Sequence, residues 1–171
     1  MTSLLDVVCN KGNTITCILD NRVTGMTGHQ ENPGTGYTLQ GEATDMADIS
    51  KIVNALGIEN VRTVNPLKVD EMKEAFDWAF ELDEPSVIIS RWPCALKKYS
   101  EYDIEEFGPL SGICGISADT CIGCRACVNT GCPAINFDKE KKKAWIDDVQ
   151  CVGCELCMQV CPVKAIEKVG E

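Results

Sequence analysis

Eight of the twelve cysteines stand in two matched runs in the C-terminal third of the chain. The first reads Cys121-x-x-Cys124-x-x-Cys127-x-x-x-x-Cys132-Pro133, and the second reads Cys151-x-x-Cys154-x-x-Cys157-x-x-x-Cys161-Pro162. Thiolates at this spacing hold [4Fe–4S] cubes, whose chemistry is the transfer of electrons one at a time. A tight loop brings three sulfurs to three corners. The fourth comes from a remote Cys-Pro, which in a two-run pattern serves the other cluster. One cube is therefore expected on Cys121, Cys124, Cys127 and Cys161, and the other on Cys151, Cys154, Cys157 and Cys132. Zinc favours paired knuckles rather than triple runs closed by Cys-Pro, and a disulfide framework calls for an oxidising compartment. The first run has four residues before its Cys-Pro, Asn129, Thr130 and Gly131 among them, where the second has three. An altered turn changes the amide contacts that tune potential, so the two clusters need not be equivalent.

A second stretch able to do chemistry is Asp20-Asn21-Arg22-Val23-Thr24-Gly25-Met26-Thr27-Gly28-His29-Gln30. It follows a β-branched, apolar run directly, and open α/β sheets place ligands at the carboxyl ends of their strands. An asparagine or threonine oxygen there suits Mg²⁺, a hard cation that accompanies phosphates, and glycines let backbone amides approach an anion. Local chemistry leaves a plain polar loop equally open. His29, the one histidine, lies either near a bound substrate or free in solvent.

The elements that must position these groups follow from periodicity. Residues 14–20 read as a strand covered on both faces. Ile49, Ile52, Val53 and Leu56 recur at helical spacing and Gly57 ends the run. Residues 61–64 form a short strand stopped by Asn65-Pro66. Met72, Ala75, Phe76, Ala79 and Phe80 mark a second helical face that starts near Val69, with Trp78 off the stripe. Residues 87–90 are a further buried strand. Strand, helix, strand, helix, strand implies a parallel sheet with right-handed crossovers. Residues 3–11 read as the tail of a helix with no strand before it, as if this domain began in its middle.

The fold class expected is thus a partial parallel-sheet α/β domain over residues 1–94, a connector over 95–118, and a small α+β two-[4Fe–4S] ferredoxin-like domain over 119–171. The connector carries an acidic, aromatic patch (Tyr99, Glu101, Asp103, Glu105, Glu106, Phe107) and is broken by Pro109, Gly112 and Gly115. The last domain is an internal duplication, each half giving a short hairpin and a cluster loop. Cys9, Cys17, Cys94 and Cys114 fit small buried hydrophobes. Cys114, close in sequence to the first run, is a conceivable alternative ligand.

Composition narrows the function classes. The net charge is −10, yet residues 121–171 hold seven acids and seven bases, so the excess lies in residues 1–120. No basic stripe exists to meet phosphates, which argues against nucleic acid. The lysines between Lys139 and Lys143 fit the solvated tip of a hairpin. No leader or spanning stretch is visible, so no membrane is expected, and a soluble, cytoplasmic setting suits reduced thiolates.

The stretch DNRVTGMTGHQENPGTG, the α/β remainder and both cysteine runs together resemble the 2-oxoacid:ferredoxin oxidoreductase family, in particular its indolepyruvate-oxidising branch. The resemblance covers essentially the whole chain and implies thiamine diphosphate as a cofactor. It would make Asn21 a side-chain ligand of the diphosphate-bound Mg²⁺ and Val23 a carbonyl ligand. Thr24, Thr27 and Gly28 would line the diphosphate and thiazolium. It also implies partners: a beta subunit, an N-terminal portion with the upstream Gly-Asp-Gly/Ser metal ligand that this sequence does not contain, coenzyme A, and soluble ferredoxin as acceptor. The activity implied is oxidative decarboxylation of an arylpyruvate, with electrons relayed through the two clusters and no activity from the chain alone. The alternative is a stand-alone two-cluster electron carrier whose α/β region serves only for docking.

Overall fold

The computed structural model describes residues 1–110 and 112–170; Ser111 of the expected connector and Glu171 lie outside them. The chain divides into two compact units, Met1–Gly108 and Pro109–Glu171.

The first unit is built on three parallel strands, β1 (Ile15–Asp20), β2 (Asn60–Val64) and β3 (Ser86–Arg91), in the order β1-β3-β2. The latest strand in sequence is thus the central one, and Val87, Ile88 and Ile89 have no exposed surface. Helices α1 (Thr2–Cys9) and α2 (Ile49–Ala55) cover one face, where Leu4, Val8, Ile49 and Val53 pack on Ile18, Val61, Val87 and Ile89. Helix α3 (Val69–Phe80) covers the other, where Met72, Ala75, Phe76 and Ala79 meet Ile15, Val64 and Ile88. The expected order of strands and helices is realised. Caps fix the boundaries of α2: the Asp48 carboxylate accepts from Lys51 N (3.2 Å), and Gly57 at φ +94° turns the chain out.

One expectation about β1 fails. Cys17 and Leu19 are exposed, Leu19 at 78 %. The strand pairs with β3 on one side only, and α3 reaches Ile15 at its start but leaves Cys17 and Leu19 uncovered, so most of the strand is covered on one face rather than two.

The acidic, aromatic patch is a helix of the first unit, α4 (Glu101–Phe107). Ser100 and Asp103 form a reciprocal cap: Ser100 Oγ accepts from the Asp103 amide, and the Asp103 carboxylate accepts from the Ser100 amide.

The second unit holds two antiparallel pairs, β4 (Ile113–Ile116) with β7 (Ile166–Val169) and β5 (Ile135–Asp138) with β6 (Lys143–Ile146). The halves do not form separate hairpins. β4 from the first half pairs with β7 from the second, and β5 pairs across a lysine-rich turn with β6. Each cysteine loop separates the strands of its own half, so their partners come from the other. A 3₁₀ turn (Val128–Thr130) closed by Gly131 at φ +74° takes up the extra residue of the first run. The matching place in the second run is a single helical turn, α5 (Leu156–Gln159).

Candidate functional site

The polar loop leaves β1 under tight backbone control. Three successive carbonyls are pinned from the segment that follows β3: Asp20 O by the Trp92 amide (3.1 Å), Asn21 O by the Cys94 amide (2.9 Å), and Arg22 O by Lys97 Nζ (2.9 Å). The next carbonyl, that of Val23, accepts no hydrogen bond among the described residues. The Asn21 side-chain oxygen turns back toward the Val23 amide (3.3 Å). An amide oxygen and a free carbonyl two residues on are the hard donors a cation on a diphosphate takes, so the base of the loop fits Mg²⁺–thiamine diphosphate. Beyond it, Thr24 and Gln30 exchange backbone bonds of 3.0 and 3.2 Å. Gly28 sits at the exposed tip at φ +110°, a conformation that glycine tolerates best. The Thr24 hydroxyl accepts from Asn32 (3.3 Å), and Thr27 donates to the Gln30 side chain (2.6 Å). Asn21, Val23 and Thr24 are thus gathered at the base while Thr27, Gly28 and the exposed His29 lie at the tip.

A charge network that periodicity does not reveal holds this base in place. Arg22 is left-handed (φ +54°) and only 4 % exposed. Its guanidinium pairs with Glu106 of α4 and lies 3.6 Å from Asp20, while Arg91 of β3 binds Asp20 at 2.8 Å. Lys97 Nζ, besides its bond to Arg22 O, contacts the Asp103 carboxylate at 2.8 Å. Burial by itself would push the Asp103 carboxyl up. The Lys97 ammonium and the Ser100 amide and hydroxyl outweigh it and hold the group below its ordinary value. The only hint in the sequence is the cluster of acids in residues 101–106, which reads as connector until its partners are seen.

In the second unit, Cys121, Cys124, Cys127 and Cys161 line one small pocket with Ile116, Ala126, Val163 and Ala165. The three cysteines of the first run and the remote Cys-Pro cysteine of the other half therefore line one space, as a cube's four anchors must. Cys121 receives amides from Ala144 and Gly123, which with Lys143 lower its thiol, and Cys161 Sγ receives the Ala165 amide at 3.2 Å. Burial raises Cys127 and pushes Cys157 up to about 12, so metal uptake there must displace protons.

The second run has a related environment. Cys151 Sγ accepts the Cys114 amide at 3.3 Å. Cys132 packs partly buried against the same core. Backbone bonds cross between the halves in a matched way: the Ser117 amide, upstream of the first run, binds Ala165 O (2.9 Å), and the Asp147 amide, upstream of the second, binds Ala134 O (2.8 Å). Ala165 and Ala134 lie a few residues past Cys161 and Cys132, so these bonds join the stretch after each Cys-Pro to the stretch before the opposite run. Among the described residues, no three Cys, His, Asp or Glu side chains converge on a single metal-ion position.

Residues 1–90 match the family model described as thiamine pyrophosphate enzyme, C-terminal TPP binding domain. The chain belongs to this family. Thiamine pyrophosphate is another name for thiamine diphosphate, so the thiamine-binding domain and the first unit coincide over most of their length. Residues 114–168 match the 4Fe-4S dicluster domain, which makes the second unit the iron–sulfur part of this thiamine enzyme chain.

Curated relatives span both. The chain is 40 % identical over 172 residues to indolepyruvate oxidoreductase subunit IorA of Pyrococcus abyssi, and 38 % identical over 172 residues to that of Thermococcus kodakarensis. Each alignment covers 100 % of this chain and 26 % of the relative. The chain therefore spans about a quarter of the length of these relatives, and the similarity is with their C-terminal part. Ferredoxin I from Desulfovibrio africanus is 30 % identical over 36 % of this chain and all of that one, with a TM-score of 0.32.

The four cysteines outside the runs divide. Cys9 and Cys17 are exposed and Cys94 is half-buried, so burial does not describe them; Cys114 alone is fully buried. Cys114 lies against Cys151 and Cys157 of the second run, although the first is nearer in sequence. The lysine-rich turn is the exposed tip of the β5–β6 hairpin, while Lys143 at its base reaches back to the Cys121 carbonyl. Among the described residues, no helix is long and apolar enough to cross a membrane.

Proposed function

We propose that this chain is the electron-relaying part of a 2-oxoacid:ferredoxin oxidoreductase acting on indolepyruvate or a related arylpyruvate. It would be completed by an N-terminal portion of the same subunit and by a beta subunit, with coenzyme A as acyl acceptor and soluble ferredoxin as final electron acceptor. The observation that carries the reading is one polypeptide holding both a diphosphate-fitting loop and a pocket ringed by Cys121, Cys124, Cys127 and Cys161.

Bound thiamine diphosphate supplies the carbanion stabilisation that decarboxylation of a 2-oxoacid requires. The chain's own residues bind and orient. Asn21 Oδ1 and Val23 O take the Mg²⁺, and Thr24, Thr27 and Gly28 line the diphosphate and thiazolium. Arg22, Lys97 and Glu106 keep the base of the loop from shifting. Two electrons leave the substrate and must depart singly, which is why two one-electron carriers belong with this chemistry. Cys121, Cys124, Cys127 and Cys161 hold one cube; Cys151, Cys154, Cys157 and Cys132 hold the other.

Crossed ligation has a direct test on the anaerobically purified chain, which should contain about eight irons. Cys161→Ala and Cys124→Ala should leave the same residual cluster by EPR, and Cys132→Ala and Cys154→Ala the other. If Cys161→Ala instead matched Cys154→Ala, the crossing would be refuted. The catalytic reading is tested by combining the chain with an N-terminal portion of the subunit and the beta subunit and following indolepyruvate-dependent dye reduction. Normal cluster reduction with no turnover would favour a stand-alone carrier.

A further inference from the structure

We propose that electrons leave this chain at the first cysteine run, through a face formed by Ile122, Cys124, Arg125 and the lysine-rich turn, and that this face receives a small acidic one-electron carrier protein. The proposal rests on the ligand reading above and adds which of the two cubes the acceptor meets. Of the eight cysteines in the runs, only Cys124 is exposed. Beside it Ile122 is 63 % exposed, an apolar centre such as interfaces enclose within a polar rim. The rim here is positive. Arg125 follows Cys124 directly, lines the pocket of the first run, and holds its guanidinium 4.1 Å from the centre of the Phe137 ring. The β5–β6 turn lies against the same loop. The Lys142 carbonyl packs on Gly123 so closely that no side chain would fit there, and Lys143 reaches the Cys121 carbonyl. From Asp138 to Lys143, four lysines stand against two acids. Arg125, Lys139 and Lys142 are exposed and make no ion pair among the described residues, so their charge is open to a partner.

The duplication supplies a comparison. The runs are offset by 30 residues, Cys121 to Cys151, which puts Val152, Cys154 and Glu155 where the first run has Ile122, Cys124 and Arg125. All three are half-buried, and Glu155 is paired with Lys168 at 2.7 Å. Lys139 and Lys142 correspond to the uncharged Pro109 and Gly112. The backbone is repeated, with positive φ at Gly123 and Gly153 and at Arg125 and Glu155. Only the first copy is both exposed and positive. Four thiolates around a cube leave it anionic, so a bare cluster face would repel an acidic carrier; the basic rim offsets this and orients the encounter. In the step, one electron passes from the reduced first-run cube, which returns to its oxidised form, to the oxidised carrier, which becomes reduced. No bond forms or breaks.

The test is stopped-flow mixing of the reduced, anaerobically purified chain, freed of excess reductant, with an oxidised acidic ferredoxin at low and high salt. Iron is counted in every sample. Lys139→Gln with Lys142→Gln should slow transfer about tenfold at low salt and flatten its fall with salt. Transfer from this double variant to a small neutral quinone should match wild type. Arg125→Gln should also slow transfer to the ferredoxin. Removing a positive charge beside a cluster lowers its potential and makes the reduced chain a stronger donor, so slower transfer there is a lost encounter. Lys168→Gln removes the same charge at the second run and should change neither rate. Carbodiimide coupling should join Lys139 or Lys142 to ferredoxin carboxylates. An unchanged rate in the double variant, equal slowing toward the quinone or in Lys168→Gln, or coupling confined to Lys164 and Lys168 would overturn the proposal. Wild-type transfer that does not fall with salt would overturn it equally. Wild-type protein with about four irons would instead sink the two-cluster reading underneath.

Discussion

Replacing Asp103 by alanine removes the anionic end of a buried bridge that passes through Lys97 to the base of the thiamine loop. The carboxylate is 2 % exposed in its side chain and accepts from Lys97 Nζ (2.8 Å), Ser100 N (2.9 Å) and Ser100 Oγ (2.7 Å). Without it, Lys97, 11 % exposed, keeps only the Arg22 carbonyl among the described residues, and α4 loses the carboxylate half of its reciprocal cap, while Ser100 Oγ still accepts from the amide of residue 103. Leaving one member of a buried pair uncompensated costs about 3–5 kcal/mol. The lysine's remaining access to water places the loss near ~3 kcal/mol, a large share of the ~5–15 kcal/mol that a domain commonly has. With a urea slope of about 1.5 kcal/mol per molar, the midpoint of the first unit should fall by roughly 2 M. Tryptophan emission in a Trp145→Phe background reports this unit, because Trp78 and Trp92 both lie in it. The acid limb gives a second readout. The folded carboxyl is held below its ordinary value of 3.8, so its contribution is complete above that value and is lost as pH falls through the folded one. The variant should lose this part of the acid-side slope. A midpoint within about 0.5 M of wild type would refute the bridge, since that corresponds to less than ~1 kcal/mol on the same slope.

Ile89→Ala, at a fully buried position on the central strand, should cost about 2–5 kcal/mol in the same urea assay. Gly123→Ala would put a methyl against the Lys142 carbonyl at φ +71°; iron analysis should show loss of the cluster on the first run while the second-run signal persists. Asn21→Ala in the completed enzyme should weaken Mg²⁺–thiamine diphosphate binding, measured by calorimetry, with the iron content unchanged.

Much of this was legible because the signals are local. A triple cysteine run declares its metal, and the spacing of Ile49, Ile52 and Val53 or of Met72, Ala75 and Ala79 declares its helix. What escaped depends on distant pairing. Arg22 and Glu106 are 84 residues apart and Asp20 and Arg91 are 71 apart. No periodicity records such bonds, so α4 read as linker. An apolar run such as β1 looks the same at the edge of a sheet as in its centre; only the pairing with β3 alone exposes Leu19. The duplication was plain, but a repeat does not say which strands pair, and β4 joins β7 rather than a neighbour. Cys114 shows the same limit: seven residues from Cys121, it hydrogen-bonds to Cys151, 37 residues away.

The matched backbone bonds from Ser117 to Ala165 and from Asp147 to Ala134 knit the two repeats into one object. Under the crossed assignment, filling either site draws in a loop from one repeat and an anchor from the other, and so preassembles the empty site beside it. Metal loading should accordingly be cooperative, with half-filled molecules scarce during reconstitution. Damage to one cube by oxygen should then weaken the hold on its neighbour.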